Sequence, residues 1–383
     1  ALVEETMRIL FLAEGDPEDP DASASGAAAR LIRVLRERGH FVVSRDVELR
    51  GATRLLYAAR VFHPQRDKWS AHFHLHPALF NRRSRNARRA VAALGNEVDV
   101  VLQYGNGFSI DGLKPTCVWA DTAARLTEGV PFSWIEYLSP ETRQEVFECE
   151  ARVWRHASQI LTFSDFAKRR FVSELGIPEA QVAVGGTGPF ADVEDLRQIT
   201  RPTSDPVALM VGREWQTKGG PSLIAAFSEV KKMIPNARLV VVGPDVNPGL
   251  PEWVEFVGYL SRNDPNARAK LVRLFQAASV FCFPSVREAF GVALVEAMYA
   301  GLPAVASDIN AIPEILADGV TGFLVPPNNP ELLAERLISL LSNPALATQM
   351  GEQARIRAES RFSWAATAER FEAAMIRAVS TAM

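Results

Sequence analysis

The chain has 383 residues, of which 48% are hydrophobic and 23% are charged, and its net charge is −3 at pH 7. This length exceeds what one hydrophobic core usually serves and favours two domains. The near-neutral charge argues against a nucleic-acid-binding protein, because such proteins hold their ligand with a positive field. No apolar run reaches the length of about 18 residues that a membrane-spanning helix needs. The three cysteines, Cys117, Cys149 and Cys282, are odd in number and lie in apolar surroundings, which favours reduced thiols and a cytoplasmic protein.

Strands and helices alternate through the first half of the chain. Met7–Ala13 is predicted to be a buried strand, Gly26–Arg38 a helix and Phe41–Ser44 a second strand. These three elements form a βαβ unit, which implies a right-handed crossover and a parallel sheet. Further strands are predicted at Val98–Tyr104, Thr116–Ala120, Gln159–Phe163 and Gln181–Gly186, and helices at Pro140–His156 and Ser164–Leu175.

Two patterns in this half could be taken for metal sites. Asp19-Pro20-Asp21 matches a DxD metal-binding pattern, but the acidic loop around it favours a solvated loop instead. His72, His74 and His76 would point the same way only in a strand. No nearby Asp or Glu completes a ligand set around them. We therefore predict no metal.

The segment 82–89 is strongly basic, and two interpretations of it stay open. Its arginines could form a solvated helix face, or they could meet an anionic ligand or a membrane surface. The five arginines are Arg82, Arg83, Arg85, Arg88 and Arg89.

Gly26 and Asp121 are two candidates for ligand contact in the first half. Gly26, between Ser25 and Ala27, opens a helix with small residues that would let a phosphate approach the backbone. A plain helix N-cap explains the same residues equally well. Asp121 follows a predicted strand, at the edge where open parallel sheets bind ligands. A turn or N-cap aspartate is the alternative.

A polar, proline-containing segment at 191–206 is predicted to link two domains. A second alternating pattern follows it, which predicts a second doubly wound parallel sheet covered by helices. The predicted domains are therefore 1–190 and 207–362, and a last helix at 363–383 is expected to pack on the first domain. The predicted strands are Val207–Val211, Arg238–Gly243, Val254–Val257 and Ser279–Phe283, and the helices are Gly219–Met233, Asn266–Ala278, Gly291–Ala300, Pro330–Leu341 and Pro344–Arg361.

Two stretches of the second domain have the chemistry of a diphosphate site. Gly212-Arg213 ends one strand, and Lys218 precedes Gly219-Gly220 at the start of a helix, which offers two cations beside free amides. Glu288 precedes a second helix N-terminus at Gly291, where N–H groups and the helix dipole favour a phosphate. Glu296 lies in that otherwise apolar helix, and because burying an unpaired carboxylate is costly, it must reach water or a polar partner.

The block from Phe283 to Ser307, FPSVREAFGVALVEAMYAGLPAVAS, resembles the donor-site signature of retaining GT-B glycosyltransferases of family four. The resemblance continues through Ile312–Ile315 and Asp318–Pro326 and includes the pattern GRxxxxKGG from Gly212 to Gly220. It implies two Rossmann-like domains that face a central cleft, with the donor on the second domain. It also implies that the chain returns to the first domain near Ser360–Trp364.

The resemblance implies a role for each matched residue. Arg213, Lys218 and the helix tip would stabilise the leaving diphosphate, Glu288 would hold sugar hydroxyls, and Glu296 would hold the ribose. Tyr259 or the backbone beside it would border the base. Many relatives carry a histidine near Trp119-Ala120-Asp121, and this chain does not. The full expected donor-binding set is Gly212, Tyr259, Ala289, Phe290, Gly291, Val292 and Glu296.

The expected reaction moves a hexose-type sugar from a UDP- or GDP-sugar to a hydroxyl of a glycan, a lipid-linked molecule or a small molecule. No cofactor is expected beyond this nucleotide-sugar co-substrate, and no nucleic acid. The alternatives are a non-catalytic nucleotide-sugar-binding protein and a GT-B epimerase or phosphorylase. A cytoplasmic location is expected, with contact to the inner face of the membrane through segment 82–89 as a further hypothesis.

Overall fold

The structure is a computed structural model, and it describes residues 6–21, 26–197 and 205–382. The chain divides into two compact units. The first unit contains Ala1–Gly186 and Trp364–Met383, and the second contains Thr187–Ser363. Each unit is built on a six-stranded parallel sheet, as expected for two doubly wound domains.

The sheet of the first unit has the strand order β2-β1-β3-β4-β5-β6. Ile9, Leu10, Phe11 and Leu12 of β1 have no exposed surface, because helices cover both faces of a parallel sheet. The strands are β1 (Arg8–Ala13), β2 (Phe41–Asp46), β3 (Val100–Tyr104), β4 (Thr116–Trp119), β5 (Gln159–Thr162) and β6 (Val182–Val184).

Six helices follow the strands of this unit before the chain leaves it. They are α1 (Ala27–Glu37), α2 (Gly51–Arg60), α3 (Arg66–His74), α4 (Pro77–Leu94), α5 (Pro140–His156) and α6 (Asp165–Leu175).

The sheet of the second unit has the strand order β12-β11-β10-β7-β8-β9. Its strands are β7 (Val207–Val211), β8 (Arg238–Val242), β9 (Val254–Gly258), β10 (Val280–Phe283), β11 (Ala304–Ser307) and β12 (Gly322–Val325). Its helices are α7 (Val193–Arg197), α8 (Gly220–Met233), α9 (Pro265–Ala277), α10 (Val292–Tyr299), α11 (Ile312–Ile315), α12 (Pro330–Leu341) and α13 (Pro344–Arg361).

The last helix, α14 (Trp364–Ala382), belongs to the first unit. It packs on α1, β4 and β5. Phe371 of α14 lies edge-on to Trp119, with 5.1 Å between the ring centroids. Glu372 accepts from Arg38 at 2.6 Å and pairs with His40 at 2.9 Å. Apolar packing and a partly buried ion pair therefore both attach the C-terminal helix to this unit.

Part of the predicted linker 191–206 is helical. Residues 193–197 form α7, which packs on α9 and α10 within the second unit. Leu196 of this helix is fully buried, which explains why it is ordered despite its polar surroundings. The rest of the linker prediction lies largely outside the described residues, since 198–204 are among those that the structure does not describe.

The three histidines do not lie on a strand, the one arrangement in which they would point the same way. His72 and His74 lie on α3, and His76 caps α4, where its Nδ1 accepts from the N–H of Ala78 at 3.1 Å. Residues two apart on a helix do not share a face. His74 stacks on Trp134 with 5.6 Å between the ring centroids. The histidines therefore take part in packing and capping in this fold.

Segment 82–89 lies on α4, and neither predicted role fits all of its arginines. Arg83 is fully buried and pairs with Glu14 at 2.8 Å and with Glu48 at 2.6 Å. Arg88 pairs with Asp111 at 2.5 Å. Because carboxylates of the same unit already neutralise these two guanidinium groups, they form neither a solvated face nor a site for an outside anion. The remaining arginines of the segment lie at least partly exposed.

The three cysteines are free thiols. Burial raises the pKa of Cys117 to about 12 and that of Cys149 to about 11, so both stay protonated and unreactive at neutral pH. Across the part of the chain that the structure describes, no helix combines the length and the hydropathy that crossing a bilayer would require.

Candidate donor site in the second unit

The sheet of the second unit reverses its strand order at β7. From β7 the chain moves outward to β8 and β9, and it then returns to the other side of β7 as β10. Open parallel sheets bind ligands at such a switch point, beyond the carboxyl ends of the strands. The loop after β7 contains Gly212 to Gly219, and the loop after β10 runs from Pro284 to Gly291. These two loops border the candidate site.

The two loops are in direct contact. The carbonyl of Thr217 accepts from the N–H groups of Val286 and Arg287, at 2.9 and 3.2 Å. Gly219 has a φ of +73°, and a Cβ at this position would lie 1.9 Å from the carbonyl oxygen of Pro284. Only glycine permits both the left-handed backbone and this close approach. The GG sequence after Lys218 therefore lets the loops meet.

Lys218 and Glu288 form an ion pair across this contact. Nζ of Lys218 lies 2.5 Å from Oε2 of Glu288, and the two side chains are 22% and 12% exposed. The carbonyl of Glu288 accepts from the Asn310 side chain at 2.6 Å. Nζ of Lys218 also lies 5.6 Å from the ring centroid of Phe283. The structure therefore brings together two residues that the sequence analysis assigns to one site.

Arg213 has a different environment from Lys218. Its guanidinium lies 4.8 Å from the ring centroid of Tyr259 and pairs with Asp245 at 3.2 Å. Asp245 follows β8, and Tyr259 follows β9. The sequence analysis missed Asp245, although its place just after a strand, in Gly243-Pro244-Asp245, is the same signal that singles out Asp121.

The tip of α10 points to anion binding. Gly291, with a φ of +113°, occupies the N-cap and has no side chain to accept from the first-turn N–H groups that Val292 begins. Such groups carry a partial positive charge. Phe290 is buried and Ala289 is partly buried, so both would meet a ligand chiefly through backbone atoms.

Glu296 is buried, with 1% of its surface exposed. Its Oε1 accepts from the N–H groups of Phe190 and Ala191 at 3.2 and 3.1 Å. Its Oε2 has no hydrogen-bond partner among the described residues. The backbone of this unit therefore supplies the polar partner that the sequence analysis required, and one oxygen still has its acceptor capacity.

Two buried hydroxyls lie at the carboxyl ends of strands in the same sheet. Ser285 follows β10, and Ser307 ends β11. Both side chains are fully buried, and within the described ranges neither hydroxyl has a hydrogen-bond partner. The sequence analysis did not select them, because serine near a strand end is a common residue.

Gly26 and Asp121, the candidates for the acceptor side, belong to the first unit. Gly26 has a φ of +64° and occupies the N-cap of α1, while its neighbour Ser25 lies outside the described residues. Asp121 is half-buried after β4. Burial, and then the charge of Asp121, raise the pKa of Tyr104.

The two patterns that could be taken for metal sites form no ligand cluster among the described residues. Oδ1 of Asp19 accepts from the N–H of Asp21 at 2.9 Å, as in a turn. Throughout residues 6–21, 26–197 and 205–382, no group of three or more His, Cys, Asp or Glu side chains is arranged to hold a metal ion.

Comparison with solved structures identifies the class of fold. Sucrose-phosphate synthase from Thermosynechococcus elongatus superposes with a TM-score of 0.73 and 19% identity, over 98% of this chain and all of that one. HepE from Anabaena in complex with UDP-glucose gives 0.66 at 19% identity, over 98% and 100%. WaaG, a glycosyltransferase involved in lipopolysaccharide biosynthesis, gives 0.70 at 16% identity, over 95% and 98%. The two six-stranded parallel sheets are those of a GT-B protein.

Sequence comparison finds a family match in the second unit. Residues 192–357 match the model of glycosyl transferases group 1. The D-inositol 3-phosphate glycosyltransferase of Corynebacterium diphtheriae is 32% identical over 206 residues, 51% of this chain and 48% of that protein. The phosphatidyl-myo-inositol mannosyltransferase of Mycobacterium leprae is 31% identical over 235 residues, 58% and 60% of the two chains. The chain spans about half the length of the curated relatives it matches. Residues 192–357 therefore resemble glycosyl transferases group 1.

Proposed function

We propose that this protein is a retaining glycosyltransferase that moves a hexose-type sugar from a UDP- or GDP-sugar to an acceptor hydroxyl. The observation that carries the proposal is the Lys218–Glu288 pair at the switch point of the second unit. In this pair, Lys218 offers a cation for phosphate and Glu288 offers a carboxylate for sugar hydroxyls. The two residues lie on loops that contact each other and precede α8 and α10.

The leaving diphosphate needs positive charge. Lys218 and Arg213 supply it from side chains, and the first-turn N–H groups of α10 supply it from the backbone. Both cations are paired with single carboxylates, Glu288 and Asp245. A diphosphate carries more negative charge than one carboxylate, so it competes for them when it binds. As the anomeric C–O bond breaks, these groups stabilise the charge that gathers on the β-phosphate.

The sugar, the ribose and the base of the donor each meet one residue. A carboxylate accepts hydrogen bonds from neighbouring hydroxyls. Glu288 therefore holds the sugar, and Oε2 of Glu296 holds the ribose. Tyr259, which is 41% exposed and already stacked with Arg213, borders the base.

Retention follows if the acceptor attacks from the face that the diphosphate leaves. The acceptor oxygen bonds to the anomeric carbon, and the departing phosphate oxygen takes the acceptor's proton. This step needs no dedicated protein base, and cationic side chains replace a divalent metal at the leaving group. Hydrolysis or transfer assays that follow the anomeric configuration by NMR test this stereochemistry.

The named relatives support a nucleotide-sugar donor and leave the acceptor open. HepE was solved with UDP and with UDP-glucose. The related enzymes bear the names of an inositol-phosphate glycosyltransferase, a phosphatidylinositol mannosyltransferase and an α-maltose-1-phosphate synthase. We therefore propose an acceptor hydroxyl on a glycan, a lipid-linked molecule or a small molecule.

Calorimetric titration with UDP and with GDP tests the donor site. We expect one nucleotide to bind the wild type at micromolar concentration and to bind Lys218→Ala at least tenfold more weakly. Lys232→Ala is the matched control, because this lysine is exposed at the far end of α8. No binding of either nucleotide would contradict the proposal. Turnover with free phosphate and no nucleotide would indicate a phosphorylase instead.

A further inference from the structure

Helix α2 of the first unit exposes an apolar stripe. Leu55 and Leu56 are 72% and 71% exposed, and Phe62, just beyond the helix, is 66% exposed. Ala52 and Ala59 are exposed as well. The spacing 52, 55, 56 and 59 is that of one face of a helix. This arrangement is a continuous apolar face that points to solvent, and scattered surface residues would not produce it.

The opposite face of α2 accounts for its attachment to the unit. Tyr57, Ala58 and Val61 pack on the small core cluster of Leu49, Phe73 and Leu79. In addition, the carbonyl of Ala58 accepts from the indole N–H of Trp69 at 2.9 Å. No residue of α2 is buried. Internal packing therefore explains the inner face and leaves the outer stripe unexplained.

The segment that carries the stripe is basic. Between Arg50 and Arg66 the sequence contains no Asp or Glu, although the whole chain has a net charge of −3. Arg60 and Arg66 are exposed, and none of the ion pairs of the described residues includes them. Arg54 lies on the opposite face, with its guanidinium 5.9 Å from the ring centroid of Phe73. Arg50 pairs with Asp46 at 2.7 Å. The surface thus combines unneutralised guanidinium groups with apolar side chains.

We propose that this α2 surface, formed by Ala52, Leu55, Leu56, Ala59 and Phe62 with Arg60 and Arg66, docks on the interface of an anionic lipid bilayer. An amphipathic helix lies in the headgroup region with its apolar side chains toward the acyl chains and its cations against lipid phosphates. Phe62, whose ring centroid lies 5.9 Å from that of Trp69, adds an aromatic side chain of the kind that interfacial helices bury. The α2 surface replaces segment 82–89 as the contact, because Arg83 and Arg88 are neutralised within the unit.

Co-sedimentation with vesicles tests the proposal. We expect the wild type to bind phosphatidylcholine vesicles that contain about 30% phosphatidylglycerol, which gives them an anionic surface. It should bind vesicles of pure phosphatidylcholine much more weakly. Binding should weaken in 0.5 M NaCl, where the Debye length falls to roughly 4 Å. The Leu55→Gln/Leu56→Gln double variant should lose at least tenfold in partition coefficient. Arg60→Gln/Arg66→Gln should lose roughly fivefold for each charge.

Two variants serve as matched controls. Arg85→Gln/Arg89→Gln removes two cations from segment 82–89, and Met233→Gln removes an exposed apolar side chain from the second unit. Both should bind vesicles like the wild type. Loss of binding in the Arg85/Arg89 variant with retention in the Leu55/Leu56 variant would overturn the proposal, as would no wild-type binding to anionic vesicles.

Sedimentation equilibrium without lipid separates the remaining alternative, a contact between two copies of the chain. We expect a concentration-independent mass that the Leu55→Gln/Leu56→Gln variant shares. Self-association that this variant abolishes would assign the stripe to a second copy and overturn the proposal. Nucleotide titration of the same variant keeps the two proposals separate, since the donor site lies in the other unit and its affinity should not change.

Discussion

Nζ of Lys218 lies 2.5 Å from Oε2 of Glu288, although 70 positions separate the two residues in the sequence. The pair joins the loop after β7 to the loop after β10, and the carbonyl of Thr217 adds two backbone hydrogen bonds to the same contact. The arrangement holds a cation and a carboxylate ready at the switch point of the sheet. The two charges also restrain each other, which makes their separate removal informative.

Lys218→Ala and Glu288→Gln should behave differently. Lys218→Ala removes a cation that is proposed to contact the diphosphate both in the bound donor and as it leaves. The variant should therefore weaken UDP or GDP binding and lower turnover by about 10²–10³-fold. Glu288→Gln releases Lys218 from its counter-ion, so affinity for the free nucleotide should stay or rise while turnover falls by a similar factor. Calorimetry and steady-state kinetics measure the two effects. Near-normal turnover in either variant would remove that residue from the site.

Glu296 should contribute to folding as well as to nucleotide binding. Glu296→Ala leaves the N–H groups of Phe190 and Ala191 without their acceptor and should lower the free energy of unfolding by about 1–3 kcal/mol. Glu296→Gln keeps an acceptor oxygen and should restore most of this loss. Both variants should weaken nucleotide binding, because Oε2 is replaced. Urea unfolding and calorimetry test the two parts, and unchanged affinity in both variants would contradict the ribose contact.

Gly219→Ala should disrupt the loop contact. The new Cβ would lie 1.9 Å from the carbonyl oxygen of Pro284. The two loops must therefore move apart, and this movement should break the Lys218–Glu288 ion pair. Gly249→Ala is the matched control, because Gly249 has a similar positive φ of +85° with nothing within 4 Å of the new Cβ. We expect Gly249→Ala to cost only the backbone strain of about 1–2 kcal/mol. Gly219→Ala should cost more and abolish transfer. Equal effects would show that the close approach has no importance.

The stability of the first unit should depend on pH through Glu150. This buried carboxylate accepts from Asn106 at 2.6 Å and from the N–H of Ala124 at 2.7 Å. Burial raises its pKa to about 7, from an ordinary value of 4.5. Between these two values the folded state retains a proton that the unfolded state has lost. The contribution of Glu150 to the free energy of unfolding therefore falls as pH rises from 4.5 to 7, and it is constant above 7.

Glu150→Gln measures this contribution, because it cannot ionise. Relative to the wild type, the variant should gain up to about 3 kcal/mol between pH 5 and pH 8. Urea unfolding at both pH values gives the difference. Glu148→Gln, an exposed position on the same helix, should show no such gain. A pH-independent difference between wild type and Glu150→Gln would contradict the raised pKa.

Transfer should not require a divalent metal, since Arg213 and Lys218 are proposed to stabilise the leaving group. Activity after dialysis against EDTA, with and without added Mg²⁺ or Mn²⁺, tests this. We expect unchanged rates. If EDTA abolishes the activity and Mg²⁺ or Mn²⁺ restores it, the metal-independent mechanism is wrong.

Much of the fold follows from local patterns. Four predicted elements coincide with elements of the structure: α5 at Pro140–His156, β7 at Val207–Val211, α12 at Pro330–Leu341 and α13 at Pro344–Arg361. The signals for such elements are local: apolar runs, proline in the first turn of a helix and glycine just after its last residue. Because each signal acts within a few positions, it can be recognised in the sequence alone. No helix was predicted at α2, where apolar side chains such as Leu55 and Leu56 lie on the exposed face, and no strand was predicted at β11 or β12.

The sequence by itself determined the two alternating α/β halves and the residue types of the candidate donor site. Only the tertiary structure decided which charges meet. Arg83 appears in the sequence as one of five surface arginines, yet it is buried between Glu14 and Glu48. Glu296 finds its partner 106 positions earlier, at Phe190. The physical reason is common to both: a charged side chain is buried only where a distant segment supplies a partner, and no local pattern encodes that segment.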